Sequence, residues 1–284
     1  MTNMSNALTA GQVAGYRRDG YVFPVPCFAP HEAADVRNHI EAFERSTGLV
    51  AGNVIRNKGH LKLKRLYELI FEARILDAVE SVLGPDILCW GSSLFVKEAS
   101  DSAFVAWHQD SYYWGLEPDD VCSVWIALYP STLENGAMRV IPGTHTAATL
   151  AHKKSPAGSS NMLFTHEEIA DGVDESKAVD LVLAQGEMSL HHVKILHGSP
   201  PNRSGGRRMG YAIRYVAPHV RQRGDQNSAT LVRGTDRYGY FNADPVPARD
   251  LDPDILAFVD SPFGGVPWGE RGEGGVTTRG VREV

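Results

Sequence analysis

The sequence predicts a mainly β protein with a helical N-terminal third, its core a double-stranded β-helix of the cupin-like jelly-roll kind. Three observations lead there. Short apolar runs of strand length recur from Ile87 to Val216, separated by turn signals such as Glu134-Asn-Gly136, Pro142-Gly143 and Gln185-Gly186. The segment before them carries apolar residues at helical spacing instead. Glycine (28) and proline (16) are frequent enough to cut the chain into many short pieces, which disfavours a helical bundle.

The elements follow in order. Thr9-Ala-Gly-Gln12 has capping-box spacing, and Asp19-Gly20 supplies a stop, so the first helix lies between them. Tyr21–Val25 reads as a short strand. Pro30 suits the first turn of a second helix, whose apolar stripe is Ala33, Val36, Ile40 and Phe43. Asn53 to Lys64 reads as a polar, basic loop. Helices follow on Leu66, Leu69 and Ile70, then on Ile75, Val79 and Val82, ending at Gly84-Pro85. Strands are expected at 87–90, 93–97, 105–108, 122–128, 138–141, 180–183, 188–190 and 208–216, a number that a jelly roll accommodates. Residues 144–177 form a polar excursion long enough to suggest a lid or a mobile loop. The tail beyond Pro262, rich in glycine and charge, reads as loosely ordered. All 284 residues read as one domain: a helical part at about 9–85, the jelly-roll core at about 87–220 and a C-terminal extension at about 221–284.

Composition narrows the function classes. Hydrophobic residues make up 43% and charged residues 22%, an ordinary globular balance. A net charge of −6 carries no nucleic-acid footprint, which would be basic. Cys27, Cys89 and Cys122 are scattered without CxxC spacing, so buried free thiols in a reducing compartment are expected. The first ten residues hold no apolar signal core, and no apolar run approaches the roughly 18–20 residues of a membrane span. These readings point to a cytoplasmic protein without nucleic-acid or membrane partners, a monomer or a homodimer.

The chemistry-bearing signal is Trp107-His108-Gln109-Asp110. Alternate residues of a strand share a face, so His108 and Asp110 project together at a strand end. With a second histidine they would form a two-histidine, one-carboxylate set that leaves positions open on an iron ion. On its own an HxD pair is a weak signal, and among His191, His192 and His197 any could complete it. Arg208, eleven residues after His197, opens an apolar run that reads as a buried strand. A buried arginine needs an anionic partner, and the C5 carboxylate of 2-oxoglutarate would serve through a bidentate pair. Strand alternation lets only one of Arg207 and Arg208 face inward. Of the other two histidines, one is expected buried and hydrogen-bonded and the other exposed. His145 is expected to order a turn, and His31, His39 and His60 to play no ligand role.

These stretches, with Trp125-Ile-Ala-Leu128, Glu134-Asn-Gly136, Pro142-Gly-Thr-His145, His197-Gly-Ser199, Asn202, Ser204 and the opening Asp19-Gly-Tyr-Val22, resemble the phytanoyl-CoA dioxygenase family of Fe(II)/2-oxoglutarate oxygenases from about Thr9 to Val220. The resemblance implies iron on His108, Asp110 and His197, with O2 as the oxidant. It implies 2-oxoglutarate on Arg208, assisted by Ser199, Trp125 and Ser93, and further pocket residues on the strand of Ser93 and Lys97. Family halogenases lack the carboxylate of the HxD pair; with Asp110 present, hydroxylation of an unactivated C–H bond is expected. For the substrate, Arg56, Asn57, Lys62 and Lys97 suggest a small anionic group, and Tyr113 and Trp114 suggest rings facing a substituted ammonium. Together they fit a small aminophosphonate, 2-aminoethylphosphonate or its N-trimethylated analogue, as in the bacterial aminophosphonate-hydroxylating branch that the chain resembles. The competing readings are desaturation or cyclisation at the same iron, a binding jelly roll without turnover, and a zinc hydrolase with the same ligands.

Overall fold

The computed structural model describes residues 7–163, 165–223 and 227–261. The helical part comprises α1 (Ala10–Asp19), β1 (Tyr21–Pro26), α2 (Pro30–Thr47), α3 (Ala51–Val54), α4 (Gly59–Lys62), α5 (Lys64–Leu69) and α6 (Ala73–Leu83). The β part runs β2 (Ile87–Lys97), β3 (Val105–His108), α7 (Ser111–Trp114), β4 (Leu116–Glu117), β5 (Val121–Ala127), β6 (Met138–Ile141), β7 (His152–Lys154), β8 (Glu167–Ile169), β9 (Val179–Leu181), β10 (Glu187–His192), β11 (Leu196–Ser199) and β12 (Arg208–Val216). The extension adds β13 (Arg221–Gln222), β14 (Ser228–Arg233), β15 (Asn242–Ala243) and α8 (Pro253–Val259).

Two sheets face each other, as a jelly roll requires. The larger has the order β1-β10-β5-β12-β2-β14-β15 and the smaller β3-β11-β6-β9. Alternation divides the large sheet between two buried faces. Val124, Ile126, Leu190, Tyr211, Ile213 and Tyr215 pack against the helices, with Val36, Ile40, Leu66, Ile75 and Val79 opposite. Trp125, Ala127 and Ala212 face the small sheet and meet Met138, Val140 and Leu181. No helix among the described residues is long and apolar enough to cross a membrane. Cys27, Cys89 and Cys122 are buried free thiols.

The local signals explain how the parts lock. Thr9 and Gln12 form the expected capping box on α1. Gly20 ends α1 at φ +86, and a Cβ there would lie 2.5 Å from Nδ1 of His145. Gly143 N donates to Asp19 O at 2.8 Å, and the His145 ring pairs with Arg17 O at 3.1 Å. The Asp19-Gly20 and Pro-Gly-Thr-His145 motifs are therefore two halves of one joint. Asn135 closes the turn before β6 through Thr132 N and Pro130 O. Gly136 rests so close to Pro200 O that no side chain would fit between them.

Two expectations are corrected, at the first β strands and at the basic loop; the excursion and the tail are not. The two strands expected at 87–90 and 93–97 are one, β2, because a bulge absorbs the extra residue: Arg214 and Tyr215 pair with Gly91 and Cys89, passing over Trp90. The polar loop at 53–64 is instead two short helices with Lys58, His60 and Leu61 buried. The excursion at 144–177 contains the β7–β8 hairpin, and Gln109 fastens it by accepting from Leu150 N at 2.8 Å. The tail expected to be loosely ordered lies outside the described residues.

The buried basic loop owes its place to a charge network. Lys58 Nζ donates to Asp244 Oδ1 at 2.9 Å and to Ser228 O at 2.6 Å. Thr230 Oγ1 donates to Asp244 Oδ2 at 2.9 Å, and His60 Nε2 lies 3.4 Å from the same oxygen. Ser92 Oγ accepts from His60 N and Tyr211 OH, both at 2.8 Å, so its own proton points to His60 Nδ1 at 2.9 Å. That leaves His60 neutral with its proton on Nε2 toward Asp244, in keeping with burial, which lowers its pKa. Burial works against the Asp244 charge, but Lys58 and His60 hold its carboxyl below the usual range. Asp244→Ala, which strands the Lys58 charge in the interior, is expected to cost about 3–5 kcal/mol in denaturant unfolding. In the wild type the depressed carboxyl makes its contribution present at neutral pH and lost as pH falls through and below the carboxylate range.

Candidate metal centre and its cavity

The end of β3 meets β11 in register, His108 opposite His197. Asp110 follows at the entrance to α7. The ligand atoms of His108, Asp110 and His197 all lie within 4.8 Å of one another, and all three residues are buried. His108 Nε2 is 3.4 Å from Asp110 Oδ1, and His197 Nε2 is 3.9 Å from Oδ2. His108 Nδ1 lies 2.9 Å from Ala106 O and His197 Nδ1 3.0 Å from Ile195 O. A carbonyl can only accept, so both Nδ1 atoms carry protons, and Nε2 is the ring atom each histidine presents toward the carboxylate. Burial, with repulsion from His108, lowers the His197 pKa well below its ordinary value and keeps that ring neutral. Two imidazole nitrogens and a carboxylate converging on one buried point fit a divalent cation with an open coordination face.

These residues line a cavity of about 400 Å³ between the sheets. At one end, Arg208 is buried with its guanidinium 4.7 Å above the Trp125 ring. Its Nε donates to Ser131 Oγ at 3.3 Å, a neutral partner. Arg207 points the other way, to Glu44 at 2.7 and 2.8 Å, so alternation assigns the inward place to Arg208. Gly210 makes the arrangement possible: a Cβ there would fall 1.8 Å from the Trp125 ring. Ser199 lines the same end, and Lys97 lies behind it, 2.7 Å from Ser199 Oγ and 2.5 Å from Pro200 O. Burial, with Arg208 adding, pushes the Lys97 pKa down to about 6.

The residues expected to face a substrate separate. Tyr113 and Trp114 form a wall, the Tyr113 ring 6.2 Å from that of His108. Arg56 and Asn57 line the mouth, where Arg56 is exposed and donates to Met162 O of the excursion at 2.6 Å. Ser93 lines the cavity and donates to Arg56 O at 2.6 Å, holding that mouth segment in place. Lys62 is not a cavity residue; its ammonium is used at Val54 O, 2.9 Å away. Lys97 lies not at the substrate wall but beside the Arg208 end. His192 is half-buried against the rings of Tyr16 and His145 rather than exposed. His191 is buried in the cavity, its ring 4.9 Å from that of His197.

Sequence reading passed over Arg214 and Ser123, which also line the cavity. The signal was available: Arg214 has the same strand parity as Arg208, and Ser123 the same parity as Trp125.

Comparisons with known proteins place the chain among its relatives. The family model for phytanoyl-CoA dioxygenase (PhyH) matches residues 16–210. A probable alpha-ketoglutarate-dependent hypophosphite dioxygenase of Stutzerimonas stutzeri is 30% identical over 181 residues, 63% of this chain and 63% of that one. Human peroxisomal phytanoyl-CoA dioxygenase is 28% identical over 160 residues, 54% of this chain and 46% of its own. The chain thus spans less than two thirds of the length of these two curated relatives. Among solved structures, the non-heme monooxygenase ThoJ in its apo form aligns with a TM-score of 0.77 at 35% identity, over 87% of this chain and 92% of its own. CytC3 with Fe(II) and alpha-ketoglutarate aligns at 0.66 and 26%, over 88% and 98%.

Divalent-metal titration checks the centre directly. The wild type is expected to take up one equivalent of Zn(II) in competition with a chromophoric chelator. Asp110→Ala should lose more affinity than the roughly 10–100-fold typical of outer-shell changes. Uptake unchanged in Asp110→Ala would place the metal elsewhere.

Proposed function

The chain belongs to the phytanoyl-CoA dioxygenase family of Fe(II)/2-oxoglutarate oxygenases, and on that footing we propose that it hydroxylates an unactivated C–H bond of a small anionic molecule, with small aminophosphonates as the leading class. The observation that carries this reading is a shared cavity: the His-Asp-His cluster stands between a buried, cationic Arg208 end and a second wall of Tyr113, Trp114, Arg56 and Asn57. A phosphorus oxyanion as substrate is supported by the similarity to the probable hypophosphite dioxygenase of Stutzerimonas stutzeri. A cavity of about 400 Å³ that must also admit 2-oxoglutarate suits a small co-reactant.

In this reading His108, Asp110 and His197 hold Fe(II). When bound, the iron with 2-oxoglutarate supplies the oxidising power: O2 and the keto acid are consumed, succinate and CO2 leave, and one oxygen atom enters the C–H bond. The protein's residues bind and exclude. Arg208 receives the distal carboxylate of 2-oxoglutarate, exchanging a neutral hydroxyl partner for an anionic one. Trp125 fixes the guanidinium plane from below, and Ser199 and Lys97 complete the anionic end. Tyr113 and Trp114 keep water from the reacting side.

With Fe(II) and 2-oxoglutarate under anaerobic conditions, the wild type should develop a visible metal-to-ligand charge-transfer band. Arg208→Ala should need about 10- to 100-fold more co-substrate to reach it. Succinate release with 2-aminoethylphosphonate or its N-trimethylated analogue tests the substrate; no turnover of either would sink the aminophosphonate assignment.

Lys97 adds a second check. Its amine is held neutral at neutral to mildly alkaline pH, and an arriving carboxylate raises its pKa again. Co-substrate binding in that range should therefore take up a proton, seen as a buffer-dependent enthalpy in calorimetry. Lys97→Met should abolish the uptake.

A further inference from the structure

We propose that Arg214, Ser123 and His191 form the subsite that holds the substrate's oxyanion, on the far side of the metal cluster from Arg208. The proposal deepens the reading above and rests on it for the substrate's negative charge. The three residues make one row across adjacent strands: Arg214 pairs with Ser123 across β12 and β5, and Ser123 pairs with His191 across β5 and β10. All three are buried and line the cavity.

Two of the row's polar atoms, Ser123 Oγ and His191 Nδ1, have no hydrogen-bond partner among the described residues. Buried polar groups are nearly always satisfied, so two adjacent exceptions in residues that line a cavity point to a ligand's polar atoms beside them. Arg214 supplies the charge. Its Nη1 donates to Ala212 O at 3.2 Å, and its guanidinium lies 5.6 Å from the Trp114 ring and 5.8 Å from the Phe95 ring. Planar donors presented between aromatic rings suit a tetrahedral oxyanion, with the Ser123 hydroxyl donating to an oxygen the guanidinium leaves and the His191 ring, in its Nδ1-protonated tautomer, to another.

The row also fits better than the mouth. Arg56 is exposed and its guanidinium engages the Met162 carbonyl. His191 Nε2, by contrast, is 3.9 Å from Asp110 Oδ2, so a group bound here is beside the metal. An anion in this row therefore brings the neighbouring C–H or P–H bond to the reacting position, whereas an anion at Arg56 would leave it at the entrance.

Calorimetry and 31P NMR with two probes, 2-aminoethylphosphonate and hypophosphite, test this on protein saturated with Zn(II) and N-oxalylglycine, which occupies the Arg208 end without turnover. The wild type is expected to bind one equivalent of at least one probe. Ser123→Ala should weaken it about 5-fold and Arg214→Gln at least about 10-fold, while Arg56→Gln changes it less than about 3-fold. Zn(II) and N-oxalylglycine affinities report whether each variant keeps its centre, and Ser123→Ala remains decisive if Arg214→Gln does not fold. Binding that survives Ser123→Ala and Arg214→Gln but fails in Arg56→Gln would overturn the subsite and leave an anionic substrate standing. Wild-type protein that takes up Zn(II) and N-oxalylglycine but neither probe would overturn both.

Discussion

Residues along β12 alternate between two buried faces, and the position of every functional group follows from that constraint. Met209, Tyr211, Ile213 and Tyr215 face the helices, so Arg208, Gly210, Ala212 and Arg214 must face the small sheet. The two arginines stand at opposite ends of this inward row, with two small residues between them. The small residues leave room for the Trp125 ring and for ligands before the metal cluster. A one-residue slip of β12 would place four apolar side chains in the cavity and bury both guanidinium groups among the helices.

Charge burial is the energetic counterpart of that geometry. Arg208, Arg214 and Lys97 are all buried basic groups near one cavity, and burial lowers the pKa of each. The two arginines, pushed down to about 10, remain charged at neutral pH, whereas Lys97 yields its proton. The cavity therefore holds electrostatic potential that anions relieve, and two separated anionic positions can be filled without the ligands sharing one cation. A different solution operates behind β2, where Lys58 is neutralised within the protein by Asp244 and nothing is left for a ligand.

Much of this was legible in the chain. The pairing of His108 with Asp110, and the rule that only one of Arg207 and Arg208 can face inward, needed strand alternation alone; His197 and the choice of Arg208 came with the family resemblance, and the strands at 105–108, 138–141 and 208–216 stand where the apolar runs ended. What stayed hidden depended on partners distant in sequence. Lys58, His60 and Lys62 looked like one solvated basic stretch; Asp244 draws the first two inward and a local carbonyl occupies the third. Arg214 was masked by its setting in an apolar strand, although it shares the strand parity of Arg208. Lys97 was expected at the substrate; instead its amine lies behind Ser199, held at the Ser199-Pro200 turn.

The match to the family covers residues 16–210, yet β14, beyond that limit, hydrogen-bonds along the outer side of β2. It thereby shields a long, apolar strand that would otherwise present unpaired amides and carbonyls to other chains. The extension is thus a guard against edge-to-edge association. Trimming this protein to its recognisable family region would remove that guard along with the counter-charge of Lys58, and would yield a sticky, self-pairing sheet rather than a minimal enzyme.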